Sequence, residues 1–83
     1  MIYLFSSTSC APCQTAKEYL DKKEIEYTTI DIDEAPQEAK KHMIRTLPTL
    51  LVIANGEKQY IAGFRRNTWL SAIRLADEKD KEE

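Results

Sequence analysis

The sequence has few of the residues that mark flexible, fibrous or disulfide-rich chains. Its 83 residues include only two glycines and three prolines, which excludes a linker or a low-complexity segment. Two cysteines are too few for the disulfide framework of a small secreted domain. No apolar run is long enough to cross a membrane, and the N-terminus has no basic segment typical of a signal peptide. We therefore expect a cytoplasmic protein with no membrane partner.

The sequence also lacks an excess of charge of one sign. Twelve basic and 14 acidic side chains are interspersed, for a formal net charge of -2. This balance supplies no basic surface for the phosphates of DNA or RNA, so we expect no nucleic-acid partner. The length allows one domain with one modest core. We assign this domain, expected to be monomeric, to residues 1–76 and a charged C-terminal tail to residues 77–83.

The spacing of apolar and β-branched residues predicts the order strand, helix, strand, helix, strand, strand, helix. The predicted strands cover residues 2–5, 25–32, 49–53 and 58–62, and the predicted helices cover residues 12–23, about 36–43 and 68–76. A strand–helix–strand unit implies parallel pairing. A tight turn at Asn55-Gly56 implies an antiparallel hairpin. Together these units predict an α/β fold with a mixed four-stranded sheet flanked by three helices.

Two helix starts are predicted from local signals. The acidic residues of Asp33-Glu34-Ala35-Pro36 suit the positive end of a helix dipole. Asn67 or Thr68 is a suitable cap for the last helix. The inner face of that helix is predicted to contain Trp69, Leu70, Ile73 and Ala76.

The chemistry of the chain is concentrated in Cys10-Ala11-Pro12-Cys13, which follows a buried strand and begins a helix. Two cysteines three residues apart in a first helical turn lie on one side, with Cα atoms roughly 5 to 6 Å apart, as a disulfide requires. Cys10 then occupies the cap region, where backbone N–H groups and the helix dipole favour its thiolate. Cys13 lies deeper and is predicted to be the resolving thiol that attacks Cys10 after a mixed disulfide forms.

Two other interpretations of the cysteine pair stay open. A C-x-x-C segment can be half of a zinc site, but zinc in structural sites has four ligands, and the chain adds only one distant histidine, His42. Such a site would require a dimer. The cysteines could also be unreactive structural residues. We expect disulfide exchange with no bound metal or cofactor, because the strand, loop, cysteine pair and helix follow in the required order.

The combination of residues 7–13 (Ser-Thr-Ser-Cys-Ala-Pro-Cys), residues 46–49 (Thr-Leu-Pro-Thr) and Gly63-Phe64 resembles the glutaredoxin branch of the thioredoxin superfamily. The resemblance spans nearly the whole chain and implies a thioredoxin-like fold. It implies that Pro48 is cis and faces the cysteine pair, and that Leu47 pairs its backbone with a bound thiol substrate. It also implies that Gly63, Phe64 and Arg65 contribute to the substrate-binding surface.

Departures from the family pattern bear on the electron donor. Glutathione-using glutaredoxins commonly carry a lysine where this chain has Ser7, and a Gly-Gly pair followed closely by an aspartate, where this chain reads Gly-Phe-Arg-Arg-Asn at 63–67. The segment at 62–65 is instead similar to the Ser-Gly-Phe-Arg of NrdH-redoxins, although Ile61 replaces the usual tryptophan and Arg66-Asn67 replaces Pro-Asp. Thioredoxin itself is disfavoured, because the chain is short and lacks the tryptophan before the first cysteine.

The NrdH-redoxin resemblance implies an electron carrier that is recharged by thioredoxin reductase and reduces a protein disulfide such as that of ribonucleotide reductase. The alternative is a glutathione-dependent glutaredoxin. An alternative of another class is a non-enzymatic adaptor or a metal-linked dimer. The family position of Arg65 and Arg66, beside the mouth of the site, indicates that they could steer an acidic partner.

Overall fold

The computed structural model describes residues 1–54 and 56–81. Its elements follow the predicted order. They are β1 (Ile2–Ser6), α1 (Ala11–Lys22), β2 (Thr28–Asp31), α2 (Pro36–Lys41), β3 (Thr49–Ala54), β4 (Glu57–Ala62) and α3 (Arg66–Lys81). None of the helices in these two ranges is long and apolar enough to span a membrane.

The four strands form one mixed sheet in the order β2-β1-β3-β4. β1 pairs in parallel with β2, as the strand–helix–strand unit predicts, and β3 is antiparallel to both β1 and β4. Ala54 pairs with Glu57, so the β3–β4 hairpin is closed by two residues. Gly56 has the positive φ of +81° expected in this turn, while Asn55 lies outside the described residues.

The main core lies on one face of the sheet. Leu4, Leu50 and Val52 point toward this face, and α1 covers them with Ala16 and Leu20. α3 contributes Trp69, Ala72, Ile73 and Ala76 to the same cluster. Phe5 is also fully buried but alternates to the opposite face, as neighbours on a strand must. Because both faces of β1 and β3 are covered, their near-continuous apolar sequence is explained.

Element boundaries differ from the sequence-based prediction where loops make their own hydrogen bonds. β2 begins at Thr28, not at Ile25, because the Ile25 N–H donates to the Leu20 carbonyl at 3.1 Å and closes the end of α1. Glu24 provides this closure in a left-handed conformation with φ of +58°. The prediction that Ile25 belongs to a strand is therefore wrong.

The last helix also differs at both ends. It begins at Arg66, before both predicted caps, and it continues to Lys81 through most of the segment predicted to be a charged tail. Residues 82–83 lie outside the described part of the chain. On its inner face, Ala72 is buried and Leu70 is only half-buried, so Ala72 takes the place predicted for Leu70.

Candidate active site

Cys10 and Cys13 lie at the N-terminal end of α1 in the predicted arrangement. Cys10 is the N-cap residue, with extended backbone angles, and Cys13 lies in the first helical turn. The two residues are joined by a disulfide, and their Cα atoms are 5.3 Å apart, within the predicted range. Cys13 is fully buried, whereas Cys10 is partly exposed. A reagent or partner can therefore reach the Cys10 sulfur but not that of Cys13.

The helix start places a hydrogen-bond donor at the Cys10 sulfur. The backbone N–H of Cys13 is directed at Cys10 Sγ, with an N–S distance of 3.3 Å. Pro12, within this first turn, has no N–H to leave unpaired. A negative charge on the Cys10 sulfur would be stabilised both by this N–H and by the helix dipole. The pair can therefore cycle between a disulfide and a dithiol in which Cys10 is the more reactive sulfur.

Pro48 lies at the end of the central strands from which the cysteine loop departs. The Leu47–Pro48 peptide bond is cis, which confirms the expectation from the resemblance. Thr49 pairs with Phe5 near the end of β1. Pro48 and the loop after Ser6 therefore lie at the same end of these two strands. Pro48 itself is fully buried, and Leu47 is partly exposed.

The segment after β4 is held against Pro48. The Gly63 N–H donates to the Pro48 carbonyl at 2.8 Å, and the Gly63 carbonyl accepts from Trp69 Nε1 at 3.0 Å. Gly63 makes both bonds with φ of +80°, a conformation that favours glycine. Arg65 is exposed next to this segment. The structure thus brings Gly63 to the Pro48 side of the site, and Arg65 follows two residues later in the chain.

Phe64 is placed differently from the other residues expected at the substrate surface. Its half-buried ring packs edge-on against Tyr19 of α1 and Trp69 of α3, with ring centroids 5.5 and 5.0 Å apart. The Arg66 guanidinium lies 6.0 Å from the same ring centroid. This packing joins the two helices, so Phe64 has a structural role that the sequence motif did not reveal. Trp69 is fully buried, as its predicted place on the inner face of the last helix requires.

Asp33 is a polar residue near the site whose hydrogen bonds the sequence did not predict, although the helix start predicted after it is confirmed, since α2 begins at Pro36. Asp33 does not cap α2, which has no side-chain cap. Instead, Asp33 Oδ2 accepts hydrogen bonds from Ser7 Oγ at 2.8 Å, Thr8 Oγ1 at 3.0 Å and the Thr8 N–H at 3.3 Å. Hydrogen bonds from the Ser7 hydroxyl, then from Thr8, lower the pKa of the Asp33 carboxyl below its ordinary value. The signal in the sequence is a run of three hydroxyl residues between β1 and Cys10 together with a carboxylate two residues after the end of β2.

His42 belongs to a separate cluster at the end of α2. Its Nδ1 lies 2.7 Å from the Tyr60 hydroxyl, and its Nε2 lies 3.6 Å from Glu38 Oε2. Its ring packs against Phe5 at a centroid distance of 5.3 Å. In the described part of the chain, no three His, Cys, Asp or Glu side chains are grouped as metal ligands would be.

The segment that carries both cysteines and Pro48 matches a known protein family. The family model described as Glutaredoxin matches residues 2–57, which include both cysteines and Pro48. The chain belongs to the glutaredoxin family. This membership agrees with the resemblance carried by the sequence motifs.

Relatives of this glutaredoxin-family chain include thioredoxins. Thioredoxin-2 of Pyricularia oryzae is 36% identical over 59 residues, which are 65% of this chain and 34% of that protein. Thioredoxin of Echinococcus granulosus is 32% identical over 57 residues, 63% of this chain and 53% of that protein. The chain therefore spans only about a third to a half of the length of these curated relatives.

The comparison with solved structures finds the same fold in a thioredoxin. Oxidised mitochondrial thioredoxin 3 of Saccharomyces cerevisiae superposes with a TM-score of 0.78 at 24% identity, covering 88% of this chain and 74% of that one. At this identity the match establishes the fold alone. The predicted thioredoxin-like α/β fold is thereby confirmed.

Proposed function

We propose that this protein is a dithiol–disulfide oxidoreductase that reduces disulfides in other proteins. The observation that carries the proposal is the asymmetry of the cysteine pair. Cys10 is reachable and receives the N–H of Cys13, whereas Cys13 is buried directly behind it at disulfide distance. An attacking thiol needs exposure and a stabilised thiolate, and a resolving thiol needs proximity to the first sulfur.

The reaction starts from the reduced pair. The Cys10 thiolate attacks one sulfur of the target disulfide, the target S–S bond breaks, and the leaving sulfur takes up a proton. Cys13 then loses its proton and attacks Cys10 Sγ, which breaks the mixed disulfide and releases the second target thiol. The target gains two electrons and two protons, and the protein is left with the Cys10–Cys13 disulfide, the state found in this structure.

Leu47 is proposed to align the target. Within the described residues, the backbone N–H and carbonyl of Leu47 make no hydrogen bond. Leu47 directly precedes the cis Pro48. An extended target segment could form main-chain hydrogen bonds with these two groups, as extended peptides do when they bind beside a strand. Such pairing would hold the target sulfur in line with Cys10, which is the main requirement for rapid exchange.

We propose that thioredoxin reductase, not glutathione, is the electron source, and that a protein disulfide such as that of ribonucleotide reductase is the acceptor. Ser7 supports this, because it is buried and bound to Asp33 at the position where glutathione-using members commonly have lysine. The similarity of residues 62–65 to the NrdH-redoxin segment supports it further. Ile61 and Arg66-Asn67 depart from that segment, so the donor has to be measured directly.

A paired assay of NADPH consumption tests the proposal on a protein disulfide substrate. One arm contains thioredoxin reductase, and the other contains glutathione with glutathione reductase. Turnover in the first arm alone is the expected result. Turnover in the second arm alone would identify a glutathione-dependent glutaredoxin and would contradict the proposed donor.

Inactivity in both arms, with Cys10 shown to be reduced and accessible, would contradict the oxidoreductase proposal for these donors. The metal content of protein purified under reducing conditions then tests the remaining class, a metal-linked dimer. A stoichiometric metal that holds two chains together would support that class.

A further inference from the structure

The hydroxyl and the carbonyl of Ser7 both make hydrogen bonds at the loop that carries Cys10. Because a carboxylate only accepts, the Ser7 hydroxyl donates its hydrogen to Asp33 Oδ2 at 2.8 Å. The same Ser7 oxygen accepts from the Ser9 N–H at 3.3 Å and lies 3.2 Å from Ser9 Oγ. The Ser7 carbonyl accepts from the Cys10 N–H at 3.3 Å. Ser7 therefore links the Asp33 carboxylate to the backbone of Cys10, through a hydrogen bond from its hydroxyl to Asp33 and a hydrogen bond from the Cys10 N–H to its carbonyl.

The other end of this series is fixed to the sheet. The Ile32 N–H donates to the Ser6 carbonyl at 3.0 Å and so continues the contact between β1 and β2 beyond β2. The Asp33 N–H donates to Asp31 Oδ1 at 2.9 Å, which sets the backbone turn that directs Asp33 toward the loop. The Asp33 carboxylate is thus held by β2, while the residues it binds lead directly from β1 into α1.

We propose that Asp33 is a positioning residue for the Cys10 nucleophile. By holding Ser7 and Thr8, its carboxylate fixes the loop so that Cys10 stays at the N-cap with its sulfur at the Cys13 N–H. The inference rests on the proposed oxidoreductase function and names a residue that serves the same site without contacting the substrate. It also gives a role to Ser7, whose presence the family pattern left unexplained.

The acceptor oxygen, more than the negative charge, is what this role requires. All three hydrogen bonds from Ser7 and Thr8 end on the single oxygen Oδ2. Asparagine has one oxygen that can accept at the same place, whereas alanine has none. Asp33→Asn and Asp33→Ala therefore separate loss of charge from loss of the acceptor. Loss of charge alone should, if anything, favour a nearby thiolate, so it cannot imitate the effect of a displaced loop.

The test measures the reactivity of Cys10 directly, with no reductase or protein partner. The reduced protein is treated with iodoacetamide at pH 7, and the second-order rate constant is followed by mass spectrometry of the Cys10 peptide. The variants are Asp33→Ala, Asp33→Asn, Ser7→Ala and the double variant Ser7→Ala/Asp33→Ala. Glu34→Ala and Glu34→Gln are matched controls, because Glu34 is the adjacent exposed carboxylate. Thermal unfolding of each variant shows that it is folded.

We expect Asp33→Ala to lower the rate constant about tenfold, the effect of a modest displacement of a reacting group. Asp33→Asn should retain most of the rate. Ser7→Ala should lower the rate by no more than Asp33→Ala does, because the two bonds from Thr8 to Asp33 remain. The double variant should be no slower than Asp33→Ala, because that change already removes the bond from Ser7. The Glu34 variants should match the wild type.

Two results would overturn the inference. One is an Asp33→Ala rate equal to that of the wild type and the Glu34 controls. The other is an equal loss in Asp33→Asn and Asp33→Ala, which would show that an acceptor oxygen at this position is not what holds the loop. Either result would leave the proposed function standing if the wild type is active in the paired reductase assay. Inactivity of the wild type in that assay would instead count against the function itself.

Discussion

The backbone N–H of Cys13 points at the sulfur of Cys10 from 3.3 Å, so the resolving residue supplies a donor to the nucleophile before it reacts with it. The two contributions come from different atoms of one residue. A substitution of the Cys13 side chain removes the resolving thiol and leaves this N–H in place.

Cys13→Ser should therefore keep a reactive Cys10 and accumulate mixed disulfides with its targets. Cys10→Ser should lose turnover completely, because the buried Cys13 cannot reach a target. Non-reducing electrophoresis after incubation with a disulfide protein checks the first expectation, and the reductase assay checks the second. Full turnover by Cys10→Ser would refute the assignment of the two roles.

Gly63 and Gly56 are a matched pair for testing whether the contact between Gly63 and Pro48 matters for activity. Both have φ near +80°, and a Cβ added to either meets nothing within 4 Å. Alanine at each position should cost about 1 kcal/mol of unfolding free energy through backbone strain alone. Only Gly63→Ala should also slow disulfide exchange, because only Gly63 bonds to the Pro48 carbonyl. Urea unfolding and the reductase assay separate the two effects, and an equal loss of activity in both variants would be the contrary result.

Trp69 connects the core to the site, since its fully buried ring donates from Nε1 to the Gly63 carbonyl. Trp69→Phe removes this donor and leaves the carbonyl without that bond, so we expect a loss of about 1–3 kcal/mol in unfolding free energy. Leu75→Ala on the same helix is the control, because Leu75 is 56% exposed and its truncation should change stability by no more than about 0.5 kcal/mol. Urea unfolding curves measure both changes. Equal curves for Trp69→Phe and the wild type would show that this hydrogen bond contributes nothing to stability.

The hydrogen bonds to Asp33 make a stability contribution that depends on pH. Because the folded-state pKa of this carboxyl is lowered, its contribution is present above the ordinary value of 3.8 and is lost as pH falls through the lower folded value. The difference in Tm between the wild type and Asp33→Ala should thus be constant near neutral pH and shrink in acid. Thermal unfolding at a series of pH values tests this, and a difference that grows on acidification would have the wrong sign.

Arg65 is exposed beside Gly63 and makes no ion pair among the described side chains. If it steers an acidic partner, Arg65→Glu should lower the association rate at low salt by about threefold or more, and added salt should narrow the difference. Arg74→Glu is the matched control, since Arg74 is exposed on α3, about 12 Å along the helix axis from Arg66, the residue that follows Arg65. Stopped-flow association at two salt concentrations gives the answer, and equal effects of the two variants would exclude local steering.

Local patterns in the sequence were sufficient for the element order, the sheet type and the cysteine geometry. The apolar run at β3, the turn at Gly56 and the three-residue spacing of Cys10 and Cys13 each depend on neighbouring residues only. The cis peptide at Leu47–Pro48 was different, because spacing alone predicts no more than a strand start there. That feature followed from resemblance to a family and not from residue physics.

The partners of Asp33 could not be predicted in this way. Ser7 and Asp33 are 26 residues apart, and they meet only because β1 and β2 pair in a particular register. Local signals predicted only the helix start after Asp33, which is where α2 begins, and they gave no indication of its contact with the cysteine loop. The contact between His42 and Tyr60 was missed for the same reason, because it joins α2 to β4 across 18 residues.

The unpaired main chain of Leu47 has a consequence for how selective such a protein can be. Every amino acid except proline offers the same main-chain N–H and carbonyl, so a target aligned through them is accepted whatever its other side chains are. Close to the Cys10 sulfur, the protein would then have little selectivity and would accept any extended segment with an accessible disulfide. Preference for one target over another would have to arise farther out, where surface charge and shape differ between proteins.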